Sequence, residues 1–201
     1  MTQPEHAATG AAWRPIPKRI IHLLSGGLDS VTMLHDLVSQ GHFVHAVLFA
    51  YSQRHIRELV LARAAAIKVG VPYTTLEVPE LGGLTSESWI VPNRNAILLS
   101  LAVNLAVKAK AESVTIGCNA DDSEMFPDCR PTFIESFNEL LRVAQVHVEV
   151  CAPYLTRRKC EIGAIAREMG IKSHDVWSCY AGGSSPCGEC PACKNLNKAM
   201  P

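Results

Sequence analysis

The stretch Leu24–Leu34, "LSGGLDSVTML", joins two predicted elements of this chain and indicates its fold class. It continues from "RIIHLL" at 19–24, a short run rich in Ile and Leu that predicts a buried strand. From Asp29 onward the apolar residues recur at helical spacing, and Gly41 follows the last of them, which predicts a helix. Ser-Gly-Gly therefore lies at a strand-to-helix junction, where backbone N–H groups and the positive end of the helix dipole converge. This junction predicts a phosphate-binding turn.

Two features of the turn favour an anion as its ligand. Gly26 and Gly27 let the backbone approach a phosphate closely, and the hydroxyls of Ser25 and Ser30 can add hydrogen bonds. An ordinary glycine turn, with Asp29 or Ser30 as the N-cap of the helix, is the alternative interpretation. We expect Ser25 and Asp29 to project from a surface turn that packs little. The residues assigned to this phosphate loop are Leu24, Ser25, Gly26, Gly27, Leu28, Asp29, Ser30, Val31, Thr32, Met33 and Leu34.

The composition restricts the class of protein. With 201 residues, 48% of them apolar, the chain can bury one core, which favours a single α/β unit. Basic and acidic residues balance at 19 each, which argues against a broad surface for nucleic acid or anionic membrane. No apolar run approaches the ~20 residues of a membrane span, and residues 1–17 lack the pattern of a secretion signal. We therefore expect a cytoplasmic protein without a membrane partner and without direct contact with nucleic acid.

Strand-like and helix-like segments alternate along the chain. This alternation is typical of an α/β fold, in which a parallel sheet carries helices on both faces. Ligands of such sheets bind beyond the carboxyl ends of the strands, where the phosphate loop and the loop 118–130 would both lie. The predicted strands are 19–24, 42–49, 73–78, 113–118 and 147–153, and the predicted helices are 29–40, 53–69, 94–111, 131–144 and 157–169. We divide the chain into a flexible leader at 1–18, an α/β domain at 19–175 and a tail at 176–201.

The tail carries cysteines at a spacing that suits a metal ion. Cys179, Cys187, Cys190 and Cys193 form the pattern C-x7-C-x2-C-x2-C. In a cytosolic chain such a cluster indicates metal binding, and four thiolates complete the tetrahedral coordination of Zn²⁺. Because no position remains for a catalytic water, the expected role of the zinc is structural. An iron–sulfur cluster, which is also held by four cysteines, is the alternative.

Several stretches together resemble one family, the PP-loop ATP pyrophosphatases, and within it the QueC family of the queuosine pathway. They are "LSGGLDSVTML", "YSQRHIREL", "VPNRNAILLSLA", "NADD....PDCRPTFI", "RRKCEI" and "WSCYAGGSSPCGECPAC", and they span nearly the whole chain after residue 18. The first motif is shared with tRNA thiolation enzymes, NAD synthetase and asparagine synthetase, whereas its combination with PDCR and the cysteine tail is specific. The resemblance implies a Rossmann-like fold of the adenine nucleotide alpha hydrolase type.

The resemblance also implies a carbon–nitrogen ligase that uses ATP twice. The family converts 7-carboxy-7-deazaguanine and ammonia to the 7-amide through an acyl adenylate, then adenylates the amide and expels AMP to give the nitrile. The phosphate loop would hold the pyrophosphate of ATP, Asp29 would help to hold Mg²⁺, and the tail would hold zinc. Three alternatives stay open: an enzyme that stops at the amide, another adenylating enzyme that acts on tRNA, and a zinc-bearing binding module without catalysis. We also expect a homodimer.

Site roles follow from the same resemblance, residue by residue. Arg94 and Asn95 would bind phosphate or the carboxylate being activated, and a solvated helix terminus is the alternative. Asp128 and Arg130 in PDCR would meet the polar edge of the deazaguanine, and a local ion pair is the alternative. The catalytic set is Ser25, Asp29, Arg94 and Asp128, and the substrate-binding set is Arg54, His55, Arg94, Asn95, Asn119, Asp128 and Arg130.

Overall fold

A computed structural model describes residues 16–51, 56–83 and 91–201. Within these ranges the strands are β1 Arg19–Leu23, β2 Phe43–Ala50, β3 Tyr73–Glu77, β4 Ser113–Thr115 and β5 Glu149–Cys151. The helices there are α1 Leu28–Ser39, α2 Ile56–Val69, α3 Pro79–Gly83, α4 Arg94–Ala109, α5 Ala120–Met125, α6 Pro131–Val143, α7 Lys159–Glu168 and α8 Pro191–Ala199. The predicted strands and helices are present with ends shifted by a few residues. Helices α3 and α5 lie in segments expected to be loops, and α8 lies in the tail, where no helix was predicted.

The strands form one parallel sheet in the order β3-β2-β1-β4-β5. Ile20 of β1 pairs with Val44 on one side and with Ser113 on the other. The direction in which successive strands are added reverses at β1, so a crevice opens between the carboxyl ends of β1 and β4. The phosphate loop leaves β1 at this point, and the segment 116–119 leaves β4 beside it.

Each face of the sheet buries its own apolar cluster, because successive residues of a strand point to opposite faces. Ile20 and Val44 belong to a cluster with residues of α1, α2, α7 and α8. Ile21 and Val47 belong to a second cluster with residues of α4 and α6. Helices therefore cover both faces, and the predicted α/β class with a parallel sheet is confirmed.

The last helix of the chain packs against the α/β core. A Cβ atom added to Gly163 of α7 would lie 2.1 Å from the carbonyl oxygen of Ala199 in α8, so the two helices touch backbone to backbone. Leu196 and Met200 belong to the same apolar cluster as Ile20.

Most of the predicted leader lies outside the described residues, and the division into domains stays a prediction. None of the helices in the described ranges has the length and apolarity needed to cross a bilayer.

Candidate active site and metal centre

The phosphate loop forms a closed turn at the start of α1. Gly27 is the N-cap of α1 and no side chain caps this helix, so the interpretation with Asp29 or Ser30 as N-cap is wrong. The hydroxyl oxygens of Ser25 and Ser30 lie 3.0 Å apart, and the Ser30 hydroxyl donates to the Gly27 carbonyl over 3.2 Å. The hydroxyls thus hold the turn together, while the helix end presents its positive dipole to the crevice.

Glycine is required at two places where backbone segments meet. Gly26 has φ +89, and a Cβ there would lie 2.3 Å from the carbonyl oxygen of Glu58 in α2. Its own carbonyl accepts a 2.9 Å hydrogen bond from the backbone N–H of Trp177. A Cβ on Gly117, which follows β4, would lie 3.2 Å from the amide nitrogen of Ser30. The phosphate loop is therefore enclosed by backbone from α2, from the tail and from the segment after β4.

Replacing Gly26 with alanine should cost about 3 kcal/mol or more of unfolding free energy and remove nucleotide binding, since both the positive φ and the contact with Glu58 oppose a side chain. Gly170 is a matched control because it has φ +72 with nothing within 4 Å of an added Cβ. Its alanine variant should lose only the unfolding free energy that corresponds to the unfavourable backbone conformation, about 1 kcal/mol. Urea unfolding and ATP titration measure both quantities, and equal losses in the two variants would contradict the packing argument.

Asp29 is buried, which differs from the exposed position that we expected from the sequence. Its residue is 9% exposed, and its Oδ2 lies 3.0 Å from the Nζ of Lys159 at the start of α7. Its Oδ1 is buried with no hydrogen-bond partner among the described residues. The burial arises because α7 and the segment after β4 both approach the first turn of α1. Ser25 is exposed, as expected.

Lys159 is a site residue that the sequence analysis did not assign. Its burial lowers the pKa of the ammonium group, but the negative charges of Asp29 and Asp122 outweigh burial and raise it. Lys159 is thus a fixed cation beside the phosphate loop. The only sequence signal for it is its place in "RRKCEI", one of the stretches that resemble the family.

Asn119 and Asp122 form a tight pair at the start of α5. The Asn119 side chain accepts from the Asp122 backbone N–H over 2.9 Å and donates to the Asp122 carboxylate over 2.8 Å. Burial, together with the charges of Asp29 and Asp121, raises the pKa of Asp122 to about 6, although Lys159 and Arg94 oppose this shift. Asn119 is fully buried, and in this structure it orients Asp122.

Replacing Asp122 with asparagine should remove a contribution that makes the protein less stable as the pH rises. Because the folded-state pKa of about 6 exceeds the ordinary value of 3.8, this carboxyl stabilises the folded state fully below about pH 4, and the contribution is lost as the pH rises through about 6. The unfolding free energy at pH 7 minus that at pH 4, measured in urea, should be more positive in the variant than in the original protein, by up to about 2 kcal/mol. An unchanged slope would contradict this assignment.

Asp175 provides a control of opposite sign for this measurement. Burial acts to raise the pKa of its carboxyl, but the hydrogen bond from the Lys172 backbone and the ion pair with Lys68 outweigh burial and lower it. Its contribution to stability is therefore present above the ordinary pKa and lost as the pH falls. The Asp175→Asn variant should lose stability near neutral pH, whereas Asp122→Asn should gain it.

Arg94 is half-buried and faces acidic and phenolic groups. Its Nη1 donates to the Tyr51 hydroxyl over 3.4 Å, and its Nε is buried without a partner among the described residues. Burial acts to lower the pKa of the guanidinium, but the charges of Tyr51, Asp128 and Glu58 raise it. Burial raises the pKa of Glu58 to about 7, although Arg94 opposes the shift. The interpretation of Arg94 as a solvated helix terminus is therefore wrong.

Asp128 and Asn95 connect the start of α4 to the PDCR segment. The Asn95 backbone N–H donates to the Asp128 carboxylate over 3.1 Å, and the Asn95 side chain donates to the Asp128 carbonyl over 2.9 Å. Arg130 is exposed and donates from Nε to the Ser123 carbonyl over 3.1 Å. No ion pair joins Asp128 and Arg130 in the described part of the chain. Substrate contact by these residues stays a prediction.

Charged and phenolic side chains therefore gather beside the phosphate loop, and we call this group the charged cluster. Its members are linked by the contacts above or by electrostatic interaction, and they are Asp29, Tyr51, Glu58, Arg94, Asp122, Lys159 and Tyr180. Tyr180 comes from the tail and was missed by the sequence analysis, because only the folded chain brings it to the cluster. Arg54 and His55 lie outside the described residues.

The tail cysteines converge on one point. The ligand atoms of Cys179, Cys187, Cys190 and Cys193 all lie within 4.8 Å of one another. The sulfur atoms of Cys187 and Cys193 are 3.9 Å apart, close to the ~3.8 Å expected when one tetrahedral ion binds each sulfur at about 2.3 Å. Backbone N–H groups, chiefly that of Cys190, lower the pKa of the Cys187 thiol to about 6. The four-cysteine cluster is thus arranged to bind a metal ion.

Comparison with known proteins agrees with this architecture. The family profile described as "Queuosine biosynthesis protein QueC" matches residues 19–90 and 84–200. The chain is 37% identical to the 7-cyano-7-deazaguanine synthase of Pseudoalteromonas translucida, over 91% of this chain and 94% of that one. It is 35% identical to the enzyme of the same name from Caldicellulosiruptor bescii, over 90% and 92% of the two chains.

A solved structure shares the fold without close sequence similarity. NMN synthetase from Francisella tularensis superposes with a TM-score of 0.58 at 12% identity, over 92% of this chain and 84% of that one. At this identity the likeness shows that the two chains share an α/β fold. The family match covers nearly all of the described residues, including the phosphate loop and the four cysteines. The chain belongs to the QueC family of queuosine biosynthesis proteins.

Proposed function

We propose that the chain is a 7-cyano-7-deazaguanine synthase that uses ATP to convert a carboxylate into a nitrile. The observation that carries the proposal is the position of an uncapped helix N-terminus beside the ion pair of the half-buried Lys159 and the buried Asp29, at the crevice of the sheet. Backbone N–H groups and the Lys159 ammonium favour the negative charge that develops on departing pyrophosphate. This arrangement supports adenylation.

The Asp29 carboxylate supports a magnesium site beside the phosphates. Its Oδ1 is buried without a partner among the described residues, and a carboxylate oxygen is a ligand that Mg²⁺ prefers. Asp122 is the second carboxylate of this region, and the negative charge of Asp29 contributes to its raised pKa. We propose that both residues hold the ion, whose chemistry is to neutralise the phosphate oxygens.

Two adenylation steps account for the proposed product. In the first, the substrate carboxylate attacks the α-phosphorus of ATP, pyrophosphate leaves, and ammonia then displaces AMP to give the amide. In the second, the amide oxygen attacks another ATP, pyrophosphate leaves, and loss of AMP and of the protons on nitrogen gives the nitrile. The Arg94 Nε, which has no partner among the described residues, is suited to orient the carboxylate and later the amide oxygen.

We propose zinc as the ion of the cysteine cluster. Its sulfur atoms lie close enough for a single ion, whereas a four-iron cluster binds each thiolate to a different iron and needs wider spacing. Four thiolates leave no site for a water, so the zinc would have a structural role. The cytoplasmic location and the homodimer also remain proposals.

Product analysis tests the proposed function. Incubation with 7-carboxy-7-deazaguanine, ATP, Mg²⁺ and ammonium should yield the nitrile and two AMP per nitrile, as seen by mass spectrometry. Accumulation of the amide with one AMP would indicate an enzyme that stops at the first step. AMP release that requires tRNA would indicate a tRNA-modifying enzyme. No AMP under any of these conditions would indicate a binding module and would overturn the proposal.

A further inference from the structure

The phosphate loop has a hydrogen-bond partner far away in the sequence. The Gly26 carbonyl accepts from the backbone N–H of Trp177 over 2.9 Å. Trp177 directly precedes the segment that carries the four cysteines. On the other side of the loop, the Glu58 carbonyl occupies the space where a Cβ on Gly26 would lie. Gly26 is thus held between α2 and Trp177, and a shift of either would move the loop.

Trp177 is in turn held by the metal centre. Its side chain is 4% exposed and forms one buried cluster with Cys179 and Cys193, against which Leu61 of α2 packs. Its indole Nε1–H donates to the Cys179 carbonyl over 3.0 Å. Two of the four cysteines therefore contact the residue that anchors the phosphate loop.

The cysteines need a metal ion to hold this arrangement. Their ligand atoms lie within 4.8 Å of one another, and thiolates so close together repel when no cation lies between them. Most residues of the two apolar clusters on the faces of the sheet lie outside the tail, so the α/β core depends on the ion less directly than Trp177 does. Loss of the metal should therefore loosen Trp177 before it unfolds the sheet.

We propose that Trp177 positions the phosphate loop for nucleotide binding, and that the metal-loaded cysteine cluster fixes Trp177 in place. The cysteine centre then serves nucleotide binding as well as the folding of the tail. The inference rests on the proposed ATP site, because it requires a nucleotide that binds the phosphate loop. It adds Trp177 as a positioning residue, which acts through Gly26 and does not itself contact the substrate.

Calorimetric titration of the zinc-loaded protein with ATP and Mg²⁺ tests the role of the side chain. Trp177→Ala should weaken ATP binding about tenfold, and Trp177→Phe, which keeps a ring but lacks the Nε1–H, should fall between this variant and the original protein. The affinity for 7-carboxy-7-deazaguanine should change less than about twofold. Leu196→Ala is the matched control, because Leu196 packs α8 into the core without belonging to the Trp177 cluster. It should lower the Tm but leave ATP affinity within about twofold.

The role of the metal is tested by removing it with a chelator. Hydrogen exchange at the Trp177 amide should accelerate in the metal-free protein, ATP affinity should fall about tenfold or more, and added Zn²⁺ should restore both. Unchanged ATP affinity in Trp177→Ala, or unchanged exchange after metal removal, would overturn the inference. A protein that binds ATP but forms no deazaguanine product would instead overturn the proposed function and leave the role of Trp177 intact.

Discussion

Replacing Asp29 with asparagine should lower the rate of AMP formation by about 100-fold or more while the protein remains folded. The asparagine side chain would keep the shape of the aspartate but remove the charge that faces Lys159 and the proposed Mg²⁺. Because the Asp29 carboxylate is buried and paired, the isosteric change is preferable to alanine: the asparagine oxygen can still accept a hydrogen bond from the Lys159 ammonium group. Steady-state assays of AMP release at several Mg²⁺ concentrations measure the effect.

Asp36 offers a control on the same helix. Its carboxylate accepts a 3.1 Å hydrogen bond from the Tyr154 hydroxyl, away from the phosphate loop. The Asp36→Asn variant should keep the rate of AMP formation within about twofold, even if its stability falls by the ~1 kcal/mol typical of a weakened hydrogen bond. If Asp29→Asn were as active as Asp36→Asn, the proposed magnesium and phosphate sites would lie elsewhere.

Replacing Cys193 with serine should abolish stoichiometric metal binding and unfold the tail. Binding of zinc to four thiolates contributes roughly 10 kcal/mol or more to local folding, and loss of one ligand removes most of it. Since the chain continues from Cys193 through α8, which packs Leu196 and Met200 into the core, its release should also lower the stability of the α/β part. Metal analysis and limited proteolysis of residues 176–201 measure the two effects.

Cys160 is the appropriate control for this change. It is an exposed free cysteine in α7 and does not belong to the four-cysteine cluster. Its serine variant should retain one metal ion per chain and resist proteolysis like the unmodified protein. Iron and sulfide in the purified protein would contradict the assignment of zinc, and a Cys193→Ser variant that retains a full equivalent of metal would contradict the four-ligand site.

The described fold follows closely from local sequence patterns. The alternation of apolar strands with amphipathic helices can be recognised without knowledge of distant contacts. The periodicity of apolar residues and the turn-forming residues are both properties of a few neighbouring positions. The helices α3, α5 and α8 were not predicted, since helices of one to three turns carry too few periodic positions to be recognised. For α5, the Asn119 side chain accepts from the Asp122 backbone N–H, and the Asp121 carboxylate accepts from the Lys159 backbone N–H at the start of α7. Both contacts stabilise the helix.

The roles of individual site residues depended on tertiary structure. Asp29 and Lys159 are 130 positions apart in the sequence. The local sequence suggested that the Asp29 carboxylate would be exposed, but its pairing with Lys159 places it inside the protein. Arg94 begins a helix, which by itself favours a solvated position, but the fold places it against Tyr51 and Glu58. In both cases the surroundings come from other elements, so neither burial nor a shifted pKa can be deduced from neighbouring residues.

The glycine turn between the first strand and helix, the alternating α/β order and the four-cysteine set were all predictable from local sequence, because each depends on residues within one strand-turn-helix unit or one short tail. By contrast, three contacts arise from the tertiary fold: Asp29 is buried against Lys159, Asn119 orients Asp122, and the Trp177 backbone binds the Gly26 carbonyl. These contacts depend on how the sheet orders its strands and brings distant segments to one crevice. The physical reason is that desolvation and Coulomb interactions are properties of the assembled environment, whereas turn and helix propensities belong to the local chain.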